Sequence, residues 1–213
     1  SIPKTSDPMA LDTWLIYLLA AIGLSLSPGP NGLLALTHGA LHGHRRTLFT
    51  IFGGALGFVA VIALSMFGIG ALLKTSAHAL VVMKWVGGAY LVWLGVQVWR
   101  APPVGAGLTI HGGAGHRSAH SLFQQGAFSA LTNPKAVLFF AAFLPQFIDP
   151  ARSLWLQFTI LACTFAMVEI LTEWLIASMA HRLRPWLQRV GRRFNQVCGG
   201  VFVLIGAWLP LRG

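Results

Sequence analysis

The stretch "LSLSPGPNGLL", residues Leu24–Leu34, places two prolines and two glycines inside a run that is otherwise apolar and helix-forming. Proline has no backbone N–H, and it also pushes the residue before it out of helical geometry. Pro28 therefore leaves the carbonyl of Leu24 without its usual hydrogen-bond partner. Pro30 does the same to Leu26 and suits the first position of a new helix. The stretch predicts two helices that meet at a break.

The chain around this break is far more apolar than a soluble domain of its length. Of its 213 residues, 55% are hydrophobic and only 9% are charged. A helix needs about 20 apolar residues to cross a hydrocarbon core about 30 Å thick. Runs of that length predict six membrane spans, which are Thr13–Leu41, Thr47–Leu73, Ala77–Trp99, Leu122–Ile148, Leu154–Met179 and Phe194–Leu211. The composition excludes a soluble fold and predicts an all-α membrane protein.

The spans divide the chain into two units. Residues 1–8 lack the basic start and apolar centre of a secretory signal, so we expect a tail outside the fold. Residues 9–100 are predicted to form one three-helix unit and residues 121–213 a second, joined by a loop over residues 101–120 that is rich in proline, glycine and histidine. The remaining connections are predicted to be short and polar.

The formal net charge of +10 predicts the topology of the chain rather than nucleic-acid binding. Basic residues cluster in alternate connections, at Arg45, Arg46, Arg100, Arg117, Arg182, Arg184, Arg189, Arg192 and Arg193. Lys74 and Arg152 stand nearly alone in the opposite connections. The positive-inside rule therefore places the basic connections in the cytoplasm and both termini outside, and the same charges attract anionic membrane lipid.

Because three spans precede three others, the second triplet starts on the opposite side of the membrane, and any repeat is inverted. "GGAYLVWLG" at Gly87–Gly95 is similar to "GGVFVLIG" at Gly199–Gly206. The first span is interrupted at Pro28 and Pro30, and the fourth is interrupted at "TNPK", Thr132–Lys135. Interruptions at corresponding positions of two inverted halves point to the binding site of a transporter.

Several glycines in the spans are expected to form packing faces that let helices approach closely. They are Gly53, Gly57, Gly87, Gly88, Gly199 and Gly200. Such faces could equally bring copies of the chain together as a homo-oligomer.

The two breaks predict a polar cavity within the membrane. An unsatisfied backbone group costs several kcal/mol in hydrocarbon, so irregular backbone there must line a cavity. Asn133 is a natural helix cap, Pro134 fits the first helical position, and Lys135 adds a positive charge. Two helix N-termini and a lysine suit a carboxylate, while the freed carbonyls and the Ser27 hydroxyl suit an ammonium group. A small zwitterionic amino acid satisfies both, which makes the predicted substrate-binding residues Ser27, Pro28, Gly29, Pro30, Asn31, Asn133, Pro134 and Lys135.

These motifs also carry a resemblance. "SPGPN" at Ser27–Asn31, the basic connection "GHRR" at Gly43–Arg46 and "NPKAVLFFAAFLPQF" at Asn133–Phe147 resemble the LysE/RhtB family of bacterial amino-acid exporters. The similarity covers essentially Met9–Arg212. It implies efflux of amino acids or close derivatives across the bacterial inner membrane, driven by the proton gradient; the charge pattern then puts both termini in the periplasm. The chain departs from the family pattern at Thr47–Leu48, where small residues are expected.

Glu169 and Glu173 are four residues apart on the fifth span and therefore share one helix face. An intramembrane carboxylate costs at least ~2.5 kcal/mol to insert, which makes the pair a functional candidate for proton coupling. In the alternative interpretation, Glu173 only reaches the cytoplasmic arginines and Glu169 only pairs with Lys135. Lys135 lies too far from either end of its span to reach the membrane surface.

Three histidines near the first connection, His38, His42 and His44, could indicate a metal site. No carboxylate or cysteine nearby completes a ligand set, so we expect interfacial histidines. Cys163 and Cys198 lie in separate spans without redox spacing and are expected to pack. The sequence shows no nucleophile–base pair, phosphate loop or cofactor motif, and it predicts neither an enzyme nor a cofactor.

Two alternatives to an amino-acid exporter stay open. The first is a metal-ion exporter of the same fold, in which the histidines and the pair Glu169 and Glu173 bind the cation. The second is a membrane interaction protein that transports nothing and whose glycine faces recruit a partner helix.

Overall fold

The computed structural model describes residues 9–27, 29–73, 77–100, 117–208 and 211. Over these residues the chain forms eight α-helices and one short 3₁₀ helix, with no strand. The helices are α1 (Leu11–Leu26), α2 (Pro30–His42), α3 (His44–Leu73), α4 (Ala77–Arg100), α5 (Ala119–Leu131), α6 (Pro134–Phe143), α7 (Leu154–Ser178) and α8 (Ala180–Trp208), and the 3₁₀ helix is Leu144–Gln146. The predicted all-α class is confirmed.

Both predicted helix breaks are present. Helix α1 ends at Leu26 and α2 begins at Pro30, with an angle of 55° between them. Helix α5 ends at Leu131 and α6 begins at Pro134, and this pair is bent by 50°. Each of the two prolines lies at the start of its helix, where its missing N–H costs no intrahelical hydrogen bond.

The apolar helices meet the requirements of membrane spans to different degrees. Helices α3 and α7 are each long and apolar enough to cross a membrane alone, and the two bent pairs meet the same criterion when each is taken as one span. Up to four spans therefore pass among the described residues, and the six-span inverted repeat stays a prediction. Many large apolar side chains lie exposed, such as Leu64 at 73% and Leu204 at 70%, as expected for lipid-facing surface.

The connection predicted before the last span is polar, and the structure shows it to be helical. Helix α8 begins at Ala180, so the arginine-rich segment from Arg182 to Arg193 forms its first half. Arginine and leucine are good helix formers, and the segment continues as a helix because its charge gives no signal to stop. The predicted loop at residues 101–120 lies mostly outside the described residues, but its last two residues belong to α5, which Ser118 caps by accepting a hydrogen bond from the Ser121 N–H.

The predicted glycine faces lie between helices of the same chain. A Cβ atom added to Gly57 of α3 would lie 2.7 Å from the Ala130 Cβ of α5, so the two helices touch there. Helices α4 and α8 meet in the same way, since a Cβ atom on Gly95 would lie 2.5 Å from the carbonyl oxygen of Gly199. Gly53 contacts α5 at Phe123. These glycines let helices of one chain approach closely, and association of copies or of a partner helix stays a prediction.

An aromatic core fixes the positions of α1, α6 and α7 around the breaks. The buried rings of Phe139 and Phe143 on α6 pack at a centroid distance of 4.5 Å. Tyr17 of α1 stacks on Phe143 and donates a hydrogen bond of 3.0 Å to the Leu161 carbonyl of α7. These contacts hold α1, α6 and α7 in register and set the positions of the polar side chains at the breaks.

Candidate functional site

A cavity lies where the two helix breaks approach each other. Its free interior is about 20 Å³, room for a single water molecule, so the surrounding side chains nearly fill it in this conformation. Its walls are formed by Leu24, Ser25, Ser27, Gly29, Asn31, Gly32, Phe58, Asn133, Lys135, Ala136, Phe165 and Glu169. The structure thus brings Ser27, Gly29, Asn31, Asn133 and Lys135 together as predicted, whereas Pro28 lies outside the described residues.

Asn133 caps the start of α6. Its side-chain oxygen accepts hydrogen bonds from the backbone N–H groups of Lys135 at 3.1 Å and Ala136 at 3.4 Å. The cap was predicted, and it uses both of these N–H groups, so neither points freely at a ligand. Pro134 follows at the first helical position and is exposed.

The Lys135 side chain crosses from the start of α6 to the end of α1. Its ammonium group donates hydrogen bonds to the carbonyl oxygens of Ser27 at 2.9 Å and Leu24 at 3.4 Å. The Leu24 carbonyl was expected to receive the ammonium group of a ligand, and this was wrong since Lys135 is already there. Carbonyls at the end of a helix carry the negative end of its dipole, so they are natural partners for a buried cation.

Helix α2 begins tightly against this lysine. Gly29 is extended, and a Cβ atom there would lie 2.8 Å from the Lys135 ammonium nitrogen. The Leu33 N–H donates to the Gly29 carbonyl at 3.0 Å, so it is not the free donor that the sequence suggested. The Asn31 side chain accepts a hydrogen bond of 2.6 Å from the hydroxyl of Ser129, which joins α2 to α5 beside the cavity.

Glu169 and Glu173 lie on one face of α7, with exposed fractions of 4% and 1%. Their carboxyl groups are neighbours. Glu169 lines the cavity and interacts with Lys135. Glu173 does not line it but lies one turn further along, near Gly54, where an added Cβ atom would meet Glu173 Oε2 at 3.7 Å and Asn31 Nδ2 at 2.6 Å.

The sequence interpretation missed several residues of the cavity, chiefly Ser25, Phe58, Phe165 and the neighbouring Ser129. Ser25 and Ser129 are polar residues inside apolar runs, and that signal could have identified them. The Ser27 hydroxyl is buried without a hydrogen-bond partner in the described part of the chain, whereas the Ser25 hydroxyl lies beside the Glu169 carboxyl group. Buried polar atoms of this kind are normally satisfied by a ligand or by water.

The histidines belong to a separate region. His38 is buried and shares a 2.8 Å hydrogen bond with the Thr50 hydroxyl, and its ring centroid lies 5.5 Å from that of His42. Among the residues that the structure describes, no three His, Cys, Asp or Glu side chains are grouped so as to hold a metal ion.

Paired helix breaks that enclose a buried polar cavity in an apolar helical protein define a helical membrane transporter. A family profile agrees. The chain belongs to the LysE type translocator family, which matches residues 22–213. The resemblance carried by the proline motifs is therefore confirmed.

Individual relatives extend over almost the whole chain. A homoserine/homoserine lactone efflux protein of Salmonella typhimurium is 37% identical over 203 residues, covering 94% of this chain and 97% of the relative. A leucine efflux protein of Klebsiella pneumoniae is 31% identical, covering 92% of this chain and 93% of the relative. An uncharacterized membrane protein of Vibrio cholerae is 36% identical, covering 94% and 98%. No solved structure matches the chain.

Proposed function

We propose that this protein exports amino acids or close derivatives across the bacterial inner membrane in exchange for protons, by alternating access around the cavity at the helix breaks. The observation that carries this proposal is the cavity itself, where Lys135, Asn133 and Glu169 meet in an apolar protein. Family membership and the efflux relatives support the direction of transport and the class of substrate.

The two charged ends of a zwitterion have different partners in this cavity. The start of α2 and the start of α6 direct positive dipole ends toward it, and Lys135 adds a full charge, so the carboxylate binds on that side. The carbonyls of Leu24 and Ser27 hold Lys135, which leaves the Glu169 carboxylate as the partner for the ammonium group. The hydroxyls of Ser25 and Ser27 complete the polar wall.

Access to this site alternates through the half-helices. With the topology predicted from the arginines, α2 and α5 lie in the cytoplasmic half of the membrane, and α1 and α6 lie in the outer half. A groove between α2 and α5, lined by residues such as Leu34, Gln125 and Phe128, extends from the break. The hydrogen bond between Asn31 and Ser129 closes the inner end of that groove, so opening it admits substrate from the cytoplasm.

Proton exchange follows from the competition for one carboxylate. Glu169 is buried beside Lys135, and a substrate ammonium group or a proton competes with this lysine for its carboxylate. Substrate and proton therefore exclude each other, and the carrier returns with a proton after it has released substrate outside. The contact of Glu173 with Glu169 supports a proton route toward the cytoplasmic side through this second carboxyl group.

The proposal is tested by export from cells that are loaded with a panel of dipeptides. Cells with the protein should release one or a few amino acids faster than cells without it. The Lys135→Ala variant should lose this release, whereas Leu64→Ala, at a site 73% exposed on α3, should keep it. Divalent metal ions should neither be released nor compete. Equal release by all these cells contradicts amino-acid export, and metal release would favour the metal-exporter alternative.

A further inference from the structure

The end of α1 holds the ammonium group of Lys135 in a manner typical of a cation site. Two backbone carbonyl oxygens, from Ser27 and Leu24, accept from it at 2.9 Å and 3.4 Å across more than 100 residues of sequence. We infer that this helix end is a binding site for a monovalent cation, and that Lys135 fills it as a tethered cation in place of a free ion.

The chemistry of the helix end supports a cation. The Leu24 carbonyl lacks its normal partner because residue 28 is a proline, and the last carbonyls of a helix carry partial negative charge. In broken helices of transporters, freed carbonyls and half-helix C-termini are the groups that coordinate coupling cations. Here the separations of 2.9 Å and 3.4 Å are those of N–H···O contacts, which suit an ammonium group.

The surroundings are shaped to the tethered group. A Cβ atom at Gly29 would lie 2.8 Å from the ammonium nitrogen and 3.2 Å from the Cε atom, so glycine leaves the space that this cation needs. Because Asn133 caps the start of α6 through the Lys135 N–H, the lysine connects the end of α1 to the start of α6. The tethered cation therefore joins the two breaks, and transport has no need of Na⁺ or K⁺.

The first test restores the cation from solution. Lys135→Ala removes the ammonium group and leaves space for a small one, so the purified variant in detergent should unfold at a lower temperature than the parent protein. Methylammonium chloride should then raise its unfolding temperature by a few degrees, saturably, while the bulky cation N-methylglucamine at equal ionic strength should not. Lys135→Met is the control, because its uncharged side chain still fills the space. Methylammonium should not shift the unfolding temperature of this variant.

A second test uses the close approach of Gly29. Gly29→Ala should displace the ammonium group and lower the unfolding temperature in the parent protein, but its effect should shrink when combined with Lys135→Ala. Gly32→Ala, at a helical glycine whose added Cβ meets nothing within 4 Å, should give the same small change in both backgrounds. If Lys135→Ala does not fold, Gly29→Ala alone should still lower the unfolding temperature relative to Gly32→Ala.

The outcomes separate this inference from the proposed function, since the readout is stability and not transport. The cation site is overturned if methylammonium does not raise the unfolding temperature of a folded Lys135→Ala protein. It is also overturned if Gly29→Ala and Gly32→Ala change the unfolding temperature equally. A requirement of the parent protein for Na⁺ in export would also overturn it. Loss of amino-acid export by itself would count against the proposed function only.

Discussion

Among single residues, Asn133 links helix geometry most directly to the site. Its side chain completes the start of α6 and holds Lys135 at the cavity. Replacing a capping asparagine by alanine costs ~0.5–2 kcal/mol. We therefore expect Asn133→Ala to lower the unfolding temperature and to abolish export, since the cap and the Lys135 backbone move together.

Ser118→Ala provides the matched control for Asn133→Ala. Ser118 caps α5 by accepting from the Ser121 N–H at 3.2 Å, and it is exposed at the far end of that helix from the break. The substitution should cost a similar amount of stability but leave export unchanged, as measured by thermal unfolding and by amino-acid release from cells. Equal loss of export in both variants would mean that stability alone explains the effect.

Residue chemistry made part of this site predictable and hid the rest. The Asn-Pro pair at 133 and 134 predicts the cap because both residues act on their own local backbone. The four-residue spacing of Glu169 and Glu173 predicts a common face for the same reason.

The contact of Lys135 with the Ser27 carbonyl could not be predicted, since it depends on how α1 and α6 meet in space. Phe58 and Phe165 could not be predicted as cavity residues, because apolar residues that line a cavity look the same in sequence as those that only pack.

At the level of helices, we expect the breaks to be needed for export but to lower the stability of the fold. A continuous first span would pair all of its backbone groups, so the prolines are retained at a cost to stability. We expect Pro28→Ala combined with Pro30→Ala to raise the unfolding temperature and to abolish export. Pro150→Ala, in the exposed connection before α7, should change neither by much. An unfolded double variant that no substrate rescues would show that the prolines are structural.

The helices themselves were predictable where a residue type forces a boundary. Proline forces one at α2 and at α6, and both starts are at the expected residues. The start of α8 was not predictable in this way. Clustered arginines indicate where the membrane surface lies, but they do not indicate whether the backbone is helical. Glycines predicted close packing, yet only the structure shows that their partners lie in the same chain.

For the whole molecule, the arrangement predicts how two gradients are coupled. Helix α7 packs along α1 and α2, meets α6 through the rings of Phe165 and Phe140, and carries Glu169 into the cavity between the breaks. A proton or a substrate on this carboxylate therefore affects both half-helix pairs at once. Exchange requires that substrate moves opposite to protons, so proteoliposomes with an acidic interior should accumulate substrate from an alkaline medium.

Glu169→Gln tests this coupling directly. Glutamine keeps the shape of the side chain and can accept a hydrogen bond from an ammonium group, but it cannot carry the proton. The variant should therefore exchange labelled for unlabelled substrate across proteoliposomes, with reduced affinity, yet fail to accumulate substrate when the pH difference is imposed. Glu173→Gln should retain part of the accumulation. Glu173 does not line the cavity, so it acts on the site only through its neighbour Glu169. Undiminished accumulation by Glu169→Gln would show that the proton travels by another group and that Glu169 is a structural partner of Lys135.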